Sequence, residues 1–172
     1  GTKTLGGAVT VAGDLTIDAN VTTAMGANNL TVAGATSIPG TVTISTATLD
    51  ANGAFNATDG SITFSGAGDL NLSSTVTSLG ILSGPGTVTY DSAGDQDIVE
   101  DAYNNLRAGG DSGTKTLAGA VTVAGALTID AGVTTAMGAS NLTVAGATTI
   151  PGTVTITTAT LDANGAFDAT GG

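Results

Sequence analysis

The densest group of chemically active side chains lies in a short acidic segment near the middle of the chain. Its five carboxylates are Asp91, Asp95, Asp97, Glu100 and Asp101. Clustered carboxylate oxygens are the ligands that calcium prefers, so the segment is a candidate calcium site. Its spacing matches neither an EF-hand loop nor the glycine-rich nonapeptide calcium repeat. We expect solvated side chains, with Arg107 as a surface partner at most and little effect of calcium on the melting temperature.

The residue inventory excludes most kinds of catalytic site. The chain has no His and no Cys, so it cannot form a Ser–His–Asp or Cys–His arrangement, or a histidine or thiolate metal site. Its glycines form neither a P-loop nor a dinucleotide-binding fingerprint. Asp95 and Asp97 could be proposed as a glycosidase pair, but nothing separates them from the rest of the 14 acidic residues. We therefore predict no catalytic residue, no cofactor and no enzyme activity.

Threonine recurs at alternate positions in two matching stretches. These stretches place Thr41, Thr43 and Ser45, or Thr153, Thr155 and Thr157, on one side of a strand. A flat array of methyl and hydroxyl groups can order water, as on ice-binding solenoids. Such a face should repeat the pair in every coil, whereas "LTI", "LNL" and "ITF" have one polar centre. We interpret these residues as ordinary outward strand positions and keep ice binding as a second alternative function.

The charge of the chain excludes two classes of partner. The net charge is −11, with Lys3, Arg107 and Lys115 as its three cations. Nucleic acids and anionic membrane surfaces are bound by clustered cations, which this chain lacks. No apolar run reaches the roughly 18 residues that cross a bilayer as a helix. We predict no nucleic-acid partner and no membrane insertion.

A long internal repeat organises the sequence. Residues 1–60 recur as residues 113–172 with eight differences, and every Val, Leu, Ile, Met and Phe is identical between the copies. This predicts one complete repeat unit over residues 1–112 and a partial second copy over residues 113–172. The sequence opens without an initiator Met, so we expect a segment of a longer protein with further units on both sides.

A shorter period lies within the unit. It aligns Val9, Val11, Ile17 and Val21 with Leu30, Val32, Ile38 and Val42. Short apolar–polar–apolar triplets such as "VTV" and "LTI", followed by turn residues, predict brief strands with one buried face. Strands this short are stabilised by stacking on equivalent strands one period along the chain. The six residues predicted to form buried columns are Val11, Ile17, Val32, Ile38, Val42 and Ile44.

These patterns predict an all-β fold, a parallel β-helix (β-solenoid) with coils of roughly 20 residues. Aromatic residues are only 3% of the chain, which fits a thin aliphatic core. The alternative is a string of immunoglobulin-like β-sandwiches, because the length of one repeat unit is near that domain size. A sandwich gives no reason for the shorter self-match within the unit. Residues 91–102 depart from the pattern and are predicted to form a protruding loop or widened turn, with Ile98, Leu106 and Leu117 pointing inward.

The stretch "GTVTYDSAGDQDIVEDAYNNLRAGGDSGTKTLAGAVTVAGALTID" resembles the repeats of very large bacterial cell-surface proteins. It is similar in style to the β-helical passengers of autotransporters and to filamentous-haemagglutinin-type adhesins. The resemblance implies secretion to an extracellular or cell-surface location. The expected function is a non-catalytic repeat segment of an extracellular fibre or cell-surface stalk, whose partners are neighbouring copies or repeats stacked end to end. The alternative is an adhesin module that binds a cell surface or glycan.

Overall fold

A computed structural model describes residues 1–170, which form short strands and contain no α-helix. No helix long and apolar enough to cross a membrane occurs in this part of the chain. The chain divides into two units, Gly1–Thr87 and Val88–Gly172. Each unit is a parallel β-solenoid. Together the units contain about 8 coils of roughly 20 residues each.

Unit 1 has three faces, each a parallel sheet to which successive coils add one strand. The first face contains β1 (Thr2–Thr4), β4 (Thr22–Gly26), β7 (Thr41–Ile44), β10 (Ser61–Phe64) and β13 (Ile81–Ser83). The second contains β2 (Val9–Val11), β5 (Leu30–Val32), β8 (Thr48–Ala51) and β11 (Asp69–Leu72). The third contains β3 (Leu15–Thr16), β6 (Thr36–Ser37), β9 (Phe55–Asn56) and β12 (Val76–Ser78). Strand β14 (Thr87–Tyr90) contains the boundary between the units.

Unit 2 also has three faces on which successive coils add one strand each. One contains β15 (Gln96–Ile98), β18 (Thr114–Leu117), β21 (Thr134–Gly138) and β24 (Thr153–Ile156). Another contains β16 (Ala102–Tyr103), β19 (Val121–Val123), β22 (Leu142–Val144) and β25 (Leu161–Ala163). The last contains β17 (Asn105–Ala108), β20 (Leu127–Ile129), β23 (Thr148–Thr149) and β26 (Phe167–Asp168).

Strand register confirms the solenoid and much of the predicted stacking. Val9 pairs with Leu30 and Val11 pairs with Val32, in parallel and at the offset that the sequence predicts. A sandwich of the immunoglobulin type would pair its strands in antiparallel fashion, so that alternative is wrong. Close stacking also fixes residue choice at turns, because a Cβ atom at Gly60 would overlap the carbonyl oxygen of Ile38 in the preceding coil.

One predicted pairing is wrong. Val42 pairs with Thr23 rather than with Val21. The turn between Ile17 and β4 is longer than the turn between Ile38 and β7, and it includes Asn20 at a φ of 65°. The extra residues displace the following strand, so a constant offset does not hold across this turn.

The predicted core is largely confirmed. Ile17, Val32, Ile38, Val42 and Ile44 are buried. Val11 is only half-buried, because it lies in the first coil of unit 1 and has a neighbouring strand on one side. Side chains along β7, β8, β10 and β11 alternate between half-buried and buried, as expected for strands with one face toward a core.

The predicted protrusion at residues 91–102 is wrong. Strand β15 pairs in parallel with β18, and β16 pairs with β19, so this segment is part of a regular coil. The widened turn that was the other form of this prediction is limited to residues 91–95, between β14 and β15. Ile98, Leu106 and Leu117 are buried as predicted, which ties the coil to the core.

Candidate functional site

The acidic residues are spread along the coil that contains β15 and β16. Asp91 and Asp95 lie in the turn before β15, Asp97 lies within β15, and Glu100 and Asp101 lie in the turn before β16. Two of them hold backbone groups in place. The Asp95 carboxylate accepts a hydrogen bond from the Thr114 amide at 2.8 Å, and the Asp101 carboxylate accepts one from the Ala102 amide at 2.7 Å.

The structure does not gather these carboxylates into one ligand set. Among residues 1–170 no group of three or more acidic side chains is arranged to hold a metal ion. Partial burial raises the pKa of the Asp101 carboxyl, although its hydrogen bond from Ala102 acts in the opposite direction. Arg107 forms an ion pair with Asp130, whose carboxylate lies 2.8 Å from the guanidinium, outside the acidic segment.

A pair of tyrosines fills the core of this coil. The hydroxyls of Tyr90 and Tyr103 are hydrogen-bonded at 2.9 Å, and their rings meet edge to face with centroids 6.4 Å apart. Tyr103 donates to the Val99 carbonyl at 2.7 Å, and the Val99 amide donates to Tyr90 at 3.3 Å. Burial raises the pKa of both hydroxyls well above the ordinary value. The polar ends of the rings are thus satisfied inside an otherwise aliphatic core.

A fully buried lysine was missed by the sequence analysis. Lys115, in β18, is 0% exposed, and its ammonium donates to the carbonyls of Ser92 at 2.6 Å and Gly94 at 2.9 Å. Burial lowers the pKa of the ammonium, while the charges of Asp91 and Asp95 act in the opposite direction. The signal was present in "GTKTL", because Lys115 and the inward Leu117 are two residues apart and so share a face.

The threonine pairs lie on one face of each unit. In unit 2, Thr153 and Thr155 lie in β24, on the face that also contains β15, β18 and β21. In unit 1 the pairs lie on the first face. There the outward positions carry hydroxyls in every coil: Thr2 and Thr4, Thr22, Thr41 and Thr43, Ser61 and Thr63, and Ser83. Only Ala24 and Ile81 interrupt the two columns. Of the triplets with one polar centre, "LTI" at residues 15–17 begins in β3 on the third face and "LNL" lies in β11 on the second face, so neither belongs to this array. "ITF" lies in β10 on the first face, where Ser61 supplies a second hydroxyl beside Thr63, so our reason for discounting the array was wrong. Thr41 and Ser61 share a hydrogen bond at 2.9 Å.

An apolar groove lies at the last coils of unit 2. It is lined by Ile150, Gly152, Thr153, Val154, Ile156, Leu161, Phe167 and Ala169. Ile156 is 49% exposed and Phe167 is 54% exposed. Their counterparts in the first copy, Ile44 and Phe55, are 0% and 1% exposed because a further coil covers them.

A shallow depression on unit 1 is a second concave feature. Its lining includes Asn20, Thr41, Asp59, Ser61 and Ile81, of which Ile81 is 72% exposed. The lining offers a carboxylate, an amide and hydroxyls beside the exposed side chain of Ile81.

Comparison with known proteins gave no match to any protein-family model, curated protein or solved structure.

Proposed function

We propose that the chain is a structural repeat segment of an extracellular fibre or cell-surface stalk, joined end to end with neighbouring repeats. The observation that carries this proposal is the apolar groove at Ile156 and Phe167. The same positions in the first copy are buried by the next coil, so the surface of each coil is complementary to a following coil. Stacking continues the backbone hydrogen bonding of the parallel sheets and needs no separate ligand.

The charge of the chain supports axial over lateral association. Each copy carries a net charge of −11, and like-charged surfaces repel one another over about a Debye length, which is roughly 8 Å at physiological salt. Axial stacking pairs the backbone edges of successive coils and keeps the outward carboxylates in solvent. Filaments should therefore be one molecule wide.

Electron microscopy and scattering of tandem arrays test this function. Arrays with increasing numbers of the unit at residues 1–112 should form thin particles whose length grows by about 4.8 Å per added coil, the spacing between strands. Their width should stay constant. Compact particles whose largest dimension does not follow the repeat number would contradict the fibre function.

Ice binding is a second candidate, favoured by the two hydroxyl columns on the first face of unit 1. The columns hold hydroxyls at a repeat set by the strand spacing, on a sheet with few interruptions. The parent chain should then inhibit ice recrystallisation, and Thr41→Lys with Thr43→Lys should abolish that inhibition while leaving the melting temperature unchanged. Equal activity in parent and variant would remove this candidate.

The adhesin alternative rests on the depression beside Ile81 and Asp59. A cell-surface glycan bound there would be held by hydroxyl and carboxylate groups and by the exposed side chain of Ile81. Binding to a glycan array that is lost in Ser61→Arg would support it, and unchanged binding in that variant would place the ligand elsewhere.

A further inference from the structure

Two identical stretches of sequence differ most in the surroundings of their lysine. "GTKTL" occurs at residues 1–5 and again at residues 113–117. Lys115 lies in an inward column with Gln96 before it and Thr135 after it. Lys3 begins the corresponding column, followed by Thr23 and then Val42, and it is exposed. The direction of both side chains is set by the same strand alternation.

The coil before Lys115 fits the surface that the second copy presents to it. The Thr114 amide donates to the Asp95 carboxylate at 2.8 Å, and the Gly125 amide donates to the Asn104 carbonyl at 2.7 Å. Gly113, at a φ of 91°, has no room for a Cβ atom because the Gly94 carbonyl is in contact with it. These contacts all come from residues 91–112.

The first copy carries the same glycines without those neighbours. A Cβ atom at Gly1, Gly7 or Gly13 would meet nothing within 4 Å, whereas at the equivalent Gly113, Gly119 and Gly125 it would overlap atoms of the preceding coil. Glycine destabilises a chain unless close approach or an unusual backbone conformation requires it. The first coil thus has the residues needed to receive a coil like residues 91–112.

The coil that ends the described chain would be a poor neighbour for Lys3. Val154 is the counterpart of Val42, so stacking Thr153–Thr170 before Lys3 would place Val154 beside the ammonium in the inward column. The turn that precedes β24 spans only Ile150–Gly152 and buries Ile150, whereas the longer turn before β15 turns the carbonyls of Ser92 and Gly94 inward. An ammonium without acceptors in an apolar core is strongly disfavoured.

We propose that the face around Lys3 is a docking surface for a coil of the sequence Asp91–Ser112 from a neighbouring repeat, and that the inward lysine rejects the coil Thr153–Thr170. The proposal rests on the end-to-end stacking proposed above and adds the register at which repeats join. A buried polar group can fix the register of an assembly because only one alignment satisfies it. Lys3 thereby makes joining selective for one of the two coils.

Two extended chains of equal length test this selectivity. A matched chain carries residues 73–112 ahead of Gly1, and a mismatched chain carries residues 133–172 there; neither extension contains lysine. Each protein is treated with an amine-reactive ester, and acylation of Lys3 and Lys115 is followed by mass spectrometry. Lys3 should react about tenfold or more slowly in the matched chain than in the parent, approaching Lys115, because modification then requires local opening. In the mismatched chain Lys3 should stay as reactive as in the parent.

Lys3→Met in both extended chains provides the second measurement. It should lower the melting temperature of the matched chain, where it leaves two carbonyls without a donor. It should raise that of the mismatched chain, because without the charge the extension can stack on the first coil. Equal reactivity of Lys3 in the two chains, or a melting shift of the same sign in both, overturns the proposal. Filaments that form while Lys3 stays reactive in the matched chain would reject this inference alone. A protected Lys3 in arrays that form no filament would reject the fibre function alone.

Discussion

The two copies of the repeat have nearly the same sequence but different surroundings. Residues 1–60 and 113–172 differ at eight positions, and none of those differences changes an apolar core residue. Phe55 is 1% exposed and Phe167 is 54% exposed, while Lys3 is exposed and Lys115 is 0% exposed. The first copy therefore has an uncovered first coil, and the second copy has an uncovered last coil.

This difference shows that burial in a solenoid is supplied by the neighbouring coil. A coil has an apolar inner side, but it can bury its residues only against strands before and after it. The same substitution can therefore be made at equivalent positions of the two copies, once where a neighbouring coil covers the residue and once where none does. The largest differences are expected where a large apolar side chain changes from buried to exposed.

Phe55→Ala and Phe167→Ala should differ most. Phe55 stacks beneath Val76 and beside Thr36, so its removal leaves a cavity and should cost about 3–5 kcal/mol of unfolding free energy. Phe167→Ala should cost no more than about 0.5 kcal/mol, as is usual for exposed sites. Urea unfolding of both variants measures the contrast. Equal losses would mean that Phe167 is covered in solution, for example by another copy.

The two lysines should give the second-largest contrast in stability. Here the sensitive residue is in the second copy, whereas the sensitive phenylalanine is in the first. Lys115→Met removes the donor to two backbone carbonyls and should cost about 1–3 kcal/mol. Lys3→Met in the parent chain should leave stability unchanged, since Lys3 is exposed. Denaturant unfolding measures both, with Lys115→Arg as a control that retains a donor. A neutral Lys115→Met would show that water satisfies the carbonyls of Ser92 and Gly94.

The inward and outward alternation was predictable from sequence, and so was the parallel solenoid. Val32, Ile38 and Ile44 are buried because short strands with apolar–polar–apolar patterns must turn one side to a core. The same reasoning applied to "GTKTL" places Lys115 inward, but the carbonyls that receive it come from a turn in the preceding coil. Nothing local in the sequence indicates how that turn is folded.

Register and face membership were harder to predict, because both depend on turn lengths. Because the turn before β4 is long, Val42 pairs with Thr23 and not with Val21 as predicted. Comparing "LTI" and "LNL" with "TVTI" obscured the hydroxyl columns, since these strands belong to different faces. The coil at residues 91–102 was predicted as a protrusion because its charges hid the inward position of Gln96, although Ile98 was correctly predicted to point inward.

The tyrosine pair should make the stability of the coil of β15 and β16 depend on pH in a way that the aliphatic coils do not share. An unfolded tyrosine ionises near pH 10, whereas burial holds the pKa of Tyr90 and Tyr103 above that value. The stabilisation is therefore fully present below about pH 10 and is lost as the pH rises from there toward the raised folded pKa values, at up to about 1.4 kcal/mol per pH unit for each group.

Alkaline unfolding, followed by the ultraviolet absorbance of tyrosinate, measures this effect. The chain has only these two tyrosines, so the signal is specific to the pair. Absorbance should appear together with loss of structure, and the double variant Tyr90→Phe, Tyr103→Phe should flatten the pH dependence above pH 10. Tyrosinate that forms at the ordinary pKa in a folded chain would contradict the burial of the hydroxyls.

Replacing Thr36 or Thr148 should give the smallest change in stability, and the change should be the same in both copies. Both are 1% exposed, and the hydroxyl of each is buried without a hydrogen-bond partner among the described residues. Thr36 pairs with buried Phe55 and Thr148 with exposed Phe167, yet each threonine is covered on both sides within its own unit. Replacing either with Val removes an unsatisfied polar group at nearly constant shape and should add about 1 kcal/mol of unfolding free energy.

Thr41→Val, which breaks a hydrogen bond to Ser61 at a half-buried site, is the control and should give no gain. A gain at Thr36 alone would mean that the last coils of the second copy open in solution, so that burial of Thr148 depends on the next repeat as well.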